Sequence, residues 1–213
     1  MEARMGACRD ASARMRPILA ALVAASLMMT GCQGRAMDRA EAGTGTPSRT
    51  DNTVADWPLK FVQHNFGARC FAASGCRVVY DGFRHLDYPD DEWIPGLDDA
   101  HPDALKNAGA GYIAVRNFPE PANVSWRSRD GVRREAKVDI GEIFRDGLIL
   151  HEVPKDDIPE GVSILNPDII LAIEDRTISV YMRARIPTKS LRTLGNPHSD
   201  YRKDLVLAWT RTY

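Results

Sequence analysis

The chain is 213 residues long and sets 28 Lys and Arg against 29 Asp and Glu, for a net charge of −1. It has no basic footprint of the kind that neutralises nucleic-acid phosphates, which excludes nucleic acid as a partner. The length fits one domain preceded by a leader and a tail.

The leader comes first. Arg4, Arg9, Arg14 and Arg16 stand against Glu2 and Asp10, and the thirteen residues from Pro17 to Met29 carry no charge. A positive flank followed by an apolar run of about 7 to 15 residues is the pattern of a secretory signal, and it falls short of the ~20 residues a membrane-spanning helix needs. The run ends in Met29-Thr30-Gly31-Cys32, which resembles the lipobox of bacterial lipoproteins with Met29 where Leu is usual. Residues 1–31 are thus expected to be removed, with Cys32 the first mature residue, lipidated on its sulfur and its amino group. Several acyl chains, at ~0.8 kcal/mol per buried CH₂, anchor stably to a membrane. Gln33, rather than Asp, in second place implies by the same resemblance the periplasmic face of the outer membrane.

The mature chain would hold 182 residues, with 24 basic and 27 acidic side chains. Gly34 to Asp56 is rich in Gly, Ser, Thr and Ala with no apolar period, so residues 32–56 read as a flexible lipidated tether and residues 57–213 as the single domain. Cys8 leaves with the signal and Cys32 takes the lipid. Cys70 and Cys76 then remain as a pair in an oxidising compartment, and a disulfide across the five residues between them is expected. Spacing for zinc or for redox catalysis is missing, and no metal or cofactor is expected.

Along the domain, apolar residues alternate rather than recur at helical spacing. Strands are expected at Cys76–Gly82, Gly111–Phe118, Ala122–Ser128, Arg133–Ile140, Gly147–Val153, Asp168–Asp175, Thr177–Ile186 and Asp204–Tyr213, each rich in β-branched or aromatic residues. In the seventh, Ile178, Val180, Met182 and Ala184 form the apolar face, with Ser179, Tyr181, Arg183 and Arg185 opposite. Asp130-Gly131 supplies a hairpin turn between the third and fourth. Asp139 to Glu142 has the spacing of a capping box for a helix to about Arg145 closed by Gly147, and another turn or two fits Pro102 to Asn107. The fold expected is mainly β, an antiparallel sandwich or open barrel of about eight strands with one or two short helices.

Leu86 to His101, "LDYPDDEWIPGLDDAH", is the longest stretch without period and lacks the glycine an EF-hand loop places sixth. Its carboxylates surround Trp93, a residue type that dominates binding hot spots, so Asp90, Asp91, Trp93 and Asp98 are candidate partner-binding residues. His198, in the polar loop Pro187 to Tyr201, is another, because loops on rigid sheets often carry binding residues. Arg127, Arg129, Arg133 and Arg134 make a basic hairpin tip of the kind that blunts edge-to-edge pairing. No catalytic residue stands out. There is no Gly-x-Ser-x-Gly elbow, no His-Glu-x-x-His and no Gly-rich phosphate loop, and the five histidines are scattered singly.

The stretches "FGARCF…GCRVVYDG", "GYIAVRNFPEPANVSWRSRDG", "KVDIGEIF" and "EDRTISVYMRA" together resemble a group of uncharacterised proteobacterial lipoproteins, some associated with type VI secretion lipase effectors as immunity proteins. The resemblance implies a non-enzymatic, lipid-anchored periplasmic protein that binds a protein partner and neutralises it by occlusion. A structural or assembly lipoprotein of the envelope or secretion apparatus is the alternative, and a small hydrolase or ligand-binding protein a third.

Overall fold

A computed structural model of the chain describes residues 57–101 and 103–213. The expected signal, the Cys32 lipidation site and the tether lie outside the described residues. Strands dominate: β1 (Gln63–Phe71), β2 (Ala73–Tyr80), β3 (Phe83–Asp87), β4 (Trp93–Ile94), β5 (Tyr112–Arg116), β6 (Ala122–Ser128), β7 (Arg133–Val138), β8 (Asp168–Glu174), β9 (Thr177–Arg183), β10 (Ile186–Pro187), β11 (Tyr201–Arg202) and β12 (Leu205–Thr212). The one helix among them, α1 (Ile140–Ile143), is a single turn, and 3-10 turns occupy Lys155–Asp157 and Pro197–Ser199. No helix of the described residues is long and apolar enough to cross a membrane.

Two main sheets form a sandwich-like body. The first runs β12-β9-β8-β1-β5 and the second β3-β2-β6-β7, with β4 added to β2 and a separate β10-β11 pair. Every pairing is antiparallel except β1 with β8, which runs parallel from Asn65↔Asp168 to Phe71↔Glu174. No closed barrel forms among the described residues.

The sheets meet where β1 passes into β2. Ala72 takes φ 46° there, and the disulfide between Cys70 and Cys76, with Cα atoms 6.5 Å apart, joins the end of one sheet to the start of the other. Gly75 lies between the two cysteines at φ 56°, where a Cβ would come within 2.5 Å of an Asp90 carboxylate oxygen. Only glycine suits both the left-handed backbone and that close approach.

Alternation in the strands builds the core. Phe66, Ala68 and Cys70 of β1, Ile169, Leu171 and Ile173 of β8, and Ile178, Val180 and Met182 of β9 face Cys76, Val78 and Tyr80 of β2 and Val124 and Trp126 of β6. Each large side chain removed from water contributes on the order of 1.5–3 kcal/mol before chain entropy is subtracted. The Trp126 indole, fully buried, donates from Nε1 to the Asp175 carbonyl at 2.6 Å and so ties the second sheet to the β8–β9 turn.

The expected helix is a single capped turn. The Asp139 carboxylate accepts from the Glu142 amide at 2.9 Å, and Gly147 at φ 64° closes the segment by donating to the Phe144 carbonyl. The expected strand at Gly147–Val153 is instead extended coil: Leu148 forms an isolated bridge with Lys60, and Ile149 and Val153 are buried without a ladder. The segment from 103 to 107 forms turns rather than a helix. Two longer strands had no counterpart among the expected elements, β1 and β3.

Candidate functional site

A row of polar side chains crosses three strands on the outer face of the first sheet. Asn65 of β1 pairs in register with Asp168 of β8, which pairs with Arg183 of β9, so the three side chains lie next to one another. Asn65 donates from Nδ2 to Asp168 Oδ1 at 3.0 Å, and Arg183 donates from Nη2 to Asp168 Oδ2 at 3.0 Å. The same guanidinium donates to the carbonyls of Lys106 at 2.8 Å and Ala108 at 2.6 Å.

Those bonds hold the segment leading into β5 as a strap across the sheet. At Gly67 a Cβ would meet the Gly109 carbonyl oxygen at 2.6 Å, so the close approach of strap to strand requires glycine. The strap explains why β8 is buried on both faces, Ile170 and Ala172 included, although it belongs to a largely antiparallel sheet.

Beside the strap opens a concavity of about 630 Å³, with the polar row as its floor. Lys106, Arg183, Arg185 and Lys203 line it against a single carboxylate, Asp168. Arg183 is matched by Asp168, and Lys106 lies 3.6 Å from Asp103. No carboxylate of the described residues lies within ion-pair distance of Arg185 or Lys203, and both are exposed. The Arg185 guanidinium carbon lies 4.1 Å from the centre of the Tyr201 ring, a cation–π contact. Ile113, 72 % exposed, and Leu165, 61 % exposed, form apolar lips. The concavity thus sets exposed apolar side chains beside two cations that have no carboxylate partner among the described residues.

The expected partner-binding residues are distributed differently. Asp90 is engaged within the molecule, 3.1 Å from Arg77 of β2 and 3.3 Å from Arg133 of β7, so one carboxylate of the acidic loop is tied to the basic hairpin. Arg134 pairs with Asp130 at 2.7 Å, and Arg127 donates to the Gly131 carbonyl. Bonds from Ser128 and the Val132 amide hold the Asp130 carboxyl below the usual carboxylate range. Trp93 sits on β4 opposite Ser74 and is 49 % exposed. Asp91 and Asp98 are exposed. His198 lies in the 3-10 turn capped by Asn196, and no hydrogen bond or ion pair among the described residues joins it to the acidic loop.

Four of the five histidines are occupied by structural bonds. Asn117 spends its amide nitrogen on the Phe61 carbonyl at 2.9 Å, so its oxygen accepts from His64 Nδ1 at 2.8 Å. With that nitrogen protonated, His64 Nε2 accepts from the Tyr80 hydroxyl at 3.1 Å. Burial lowers the pKa of His64 and raises that of Tyr80, so both are neutral near pH 7. His85 donates to the Tyr80 carbonyl, while His101 and His151 accept from backbone amides two residues on. None of these partners is a serine hydroxyl, a free thiol or a carboxylate. Among the described residues no three His, Cys, Asp or Glu side chains are placed to hold a metal ion.

The concavity was invisible in the sequence because it is assembled from β1, the strap, β5, the segment before β8, and the ends of β9 and β11. One signal existed: Arg183 and Arg185 stand on the wet face of an alternating strand, two cations with no acidic residue between them. Set against protein-family models, curated proteins and solved structures, the chain matches none.

Proposed function

We propose that the chain is a non-enzymatic, lipid-anchored periplasmic protein that binds a protein partner, and that the partner is an antibacterial effector of the lipase type which it neutralises. The observation that carries the binding reading is the concavity: Arg185 and Lys203 are uncompensated cations beside exposed Ile113 and Leu165. A surface that leaves charge and apolar area unspent together gains by burying both against an acidic, partly apolar patch. The structural duties of His64, His85, His101 and His151 support binding over catalysis. Immunity and the membrane anchor come from the resemblance of the sequence and from the Met29–Cys32 motif.

The test is protection. Cells that export a lipase-type effector of the kind proposed into their own periplasm should survive when they carry the chain. They should die when it carries Arg185→Glu and Lys203→Glu at unchanged abundance and unchanged membrane fractionation. Survival with the double variant moves the contact to another face. Death with the unsubstituted chain removes the immunity reading and leaves an assembly lipoprotein as the alternative.

A further inference from the structure

We propose that β12, at the edge of the first sheet, pairs with β12 of a second copy of the chain about a two-fold axis between Leu207 and Ala208, so that Asp204 of each copy meets Arg211 of the other. This goes beyond the partner-binding reading and uses a sheet edge rather than the concavity.

The first sheet ends in β5 and β12, the second in β3 and β7. Three of these edges are built against further pairing. β7 exposes Arg133, Glu135 and Lys137 along its six residues. β3 is five residues long and exposes Arg84 and Asp87. β5, also five residues long, is bulged against β1 and holds Ala114 at φ 60°. Short, charged or bulged edges resist the addition of a strand. β12 differs: it is eight residues long, LVLAWTRT, with no proline and a single charged side chain, Arg211.

One edge of β12 is taken by β9, from Leu205↔Arg183 to Thr212↔Thr177. The Tyr213 amide points the same way and donates to the Arg176 carbonyl at 2.9 Å. Alternation then turns the backbone groups of Thr210 and Thr212 to the opposite edge. No hydrogen bond of the described residues reaches that edge. A row of unpaired amides and carbonyls fits an extended strand, whose main-chain bonds supply the affinity.

The register selects a second copy as that strand. Val206, Trp209 and Arg211 stand opposite the buried Met182, Val180 and Ile178 and so share the inner face, while Leu205, Leu207 and Thr210 share the outer one. The bulge at Ala208 shifts the alternation by one position, so Asp204, which alternates with Val206, falls on the face of Arg211. A two-fold axis between Leu207 and Ala208 then sets Val206 opposite Trp209, Leu205 opposite Thr210 and Asp204 opposite Arg211, with both members of each pair on one face. Val206 and Trp209, half-buried at the margin of the core, are covered by the same pairing. Asp204 and Arg211 are exposed, and neither has an ion-pair partner among the described residues. Sliding the register on by two residues sets Val206 against Arg211 and loses both ion pairs. Charge that complements itself under a two-fold axis is the mark of an isologous contact.

The test needs no effector, so it is independent of the partner-binding reading. The processed full chain is examined by sedimentation equilibrium in a density-matched detergent, and a concentration-dependent equilibrium of monomer and dimer is expected. Asp204→Arg alone and Arg211→Asp alone should each raise the dimer dissociation constant about tenfold or more, because two attractive contacts become two repulsive ones. Mixing the two variants in equal amounts should restore the dimer, since opposite charges then face one another at both sites. A chain that stays monomeric at every concentration overturns the proposal, as does a dimer that both single reversals leave unchanged. Variants that dissociate with unchanged circular dichroism and do not recover on mixing overturn the pairing of Asp204 with Arg211.

Discussion

The acidic loop between β3 and β5 and the cationic concavity beside the strap look like equals in a count of charges, and they behave as opposites. There, Asp87 at the end of β3 and Asp90 in the loop meet Arg77, Arg84 and Arg133, so these two carboxylates bind the fold to itself. Around the concavity only Arg183 and Lys106 have carboxylate partners, and Arg185 and Lys203 are left over. The lesson is that a charged surface becomes informative only after its internal pairs have been removed from the count. What remains on one side is solvated acid, and on the other a guanidinium without a carboxylate beside apolar lips.

The largest effect should come from breaking the floor of the concavity. Asp168→Ala leaves the largely buried Arg183 without its partner, and should cost about 3 kcal/mol in urea unfolding, as removal of one member of a buried pair does. It should also loosen the strap, so amides near Ala108 should exchange faster. A loss under about 1 kcal/mol would mean that the row is not what holds the strap.

Next in size is the effect on binding. Arg185→Glu together with Lys203→Glu should weaken partner affinity by about 2–4 kcal/mol in a calorimetric titration, with stability changed by less than about 0.5 kcal/mol. Equal losses in binding and stability would turn these cations from contacts into scaffold.

Acid should act through neither region but through the core. Burial lowers the folded-state pKa values of His64, His85 and His151, each below the ordinary value near 6.5. Their contribution to stability is therefore complete above about pH 6.5 and is lost as pH falls through the folded values. Thermal midpoints measured between pH 7.5 and 5 should decline, and His64→Gln should flatten part of the decline. A midpoint independent of pH over that range would contradict the buried neutral His64 described above.

The smallest effect belongs to the acidic loop. Asp90→Ala removes two half-exposed ion pairs and should cost no more than about 1 kcal/mol, less at high salt. Asp91→Lys and Asp98→Lys should leave both stability and affinity unchanged.

How much of this could be read from residues alone depends on whether the signal was local. β6 was legible at both ends because Ala122, Val124 and Trp126 alternate with Asn123, Ser125 and Arg127. The Asp139 cap and Gly147 stop were legible for the same reason. β1 was missed although His64, Phe66, Ala68 and Cys70 alternate inward, because a buried histidine and Gly67 disguise the apolar face. Gly147–Val153 was read as a strand because sequence shows apolar content and not whether a neighbour offers a full ladder. The disulfide followed from spacing and from the compartment that the leader leads one to expect. The concavity did not, since register between β1, β8 and β9 is what aligns Asn65, Asp168 and Arg183.

The proposal that the concavity meets a protein partner is tested directly by placing a photo-crosslinking amino acid at Ile113, and separately at Asp98, in the chain expressed in its native cells. Irradiation should join position 113 to one discrete protein species and leave position 98 uncoupled. Adducts at 98 with none at 113 would contradict the assignment and return the contact to the acidic loop.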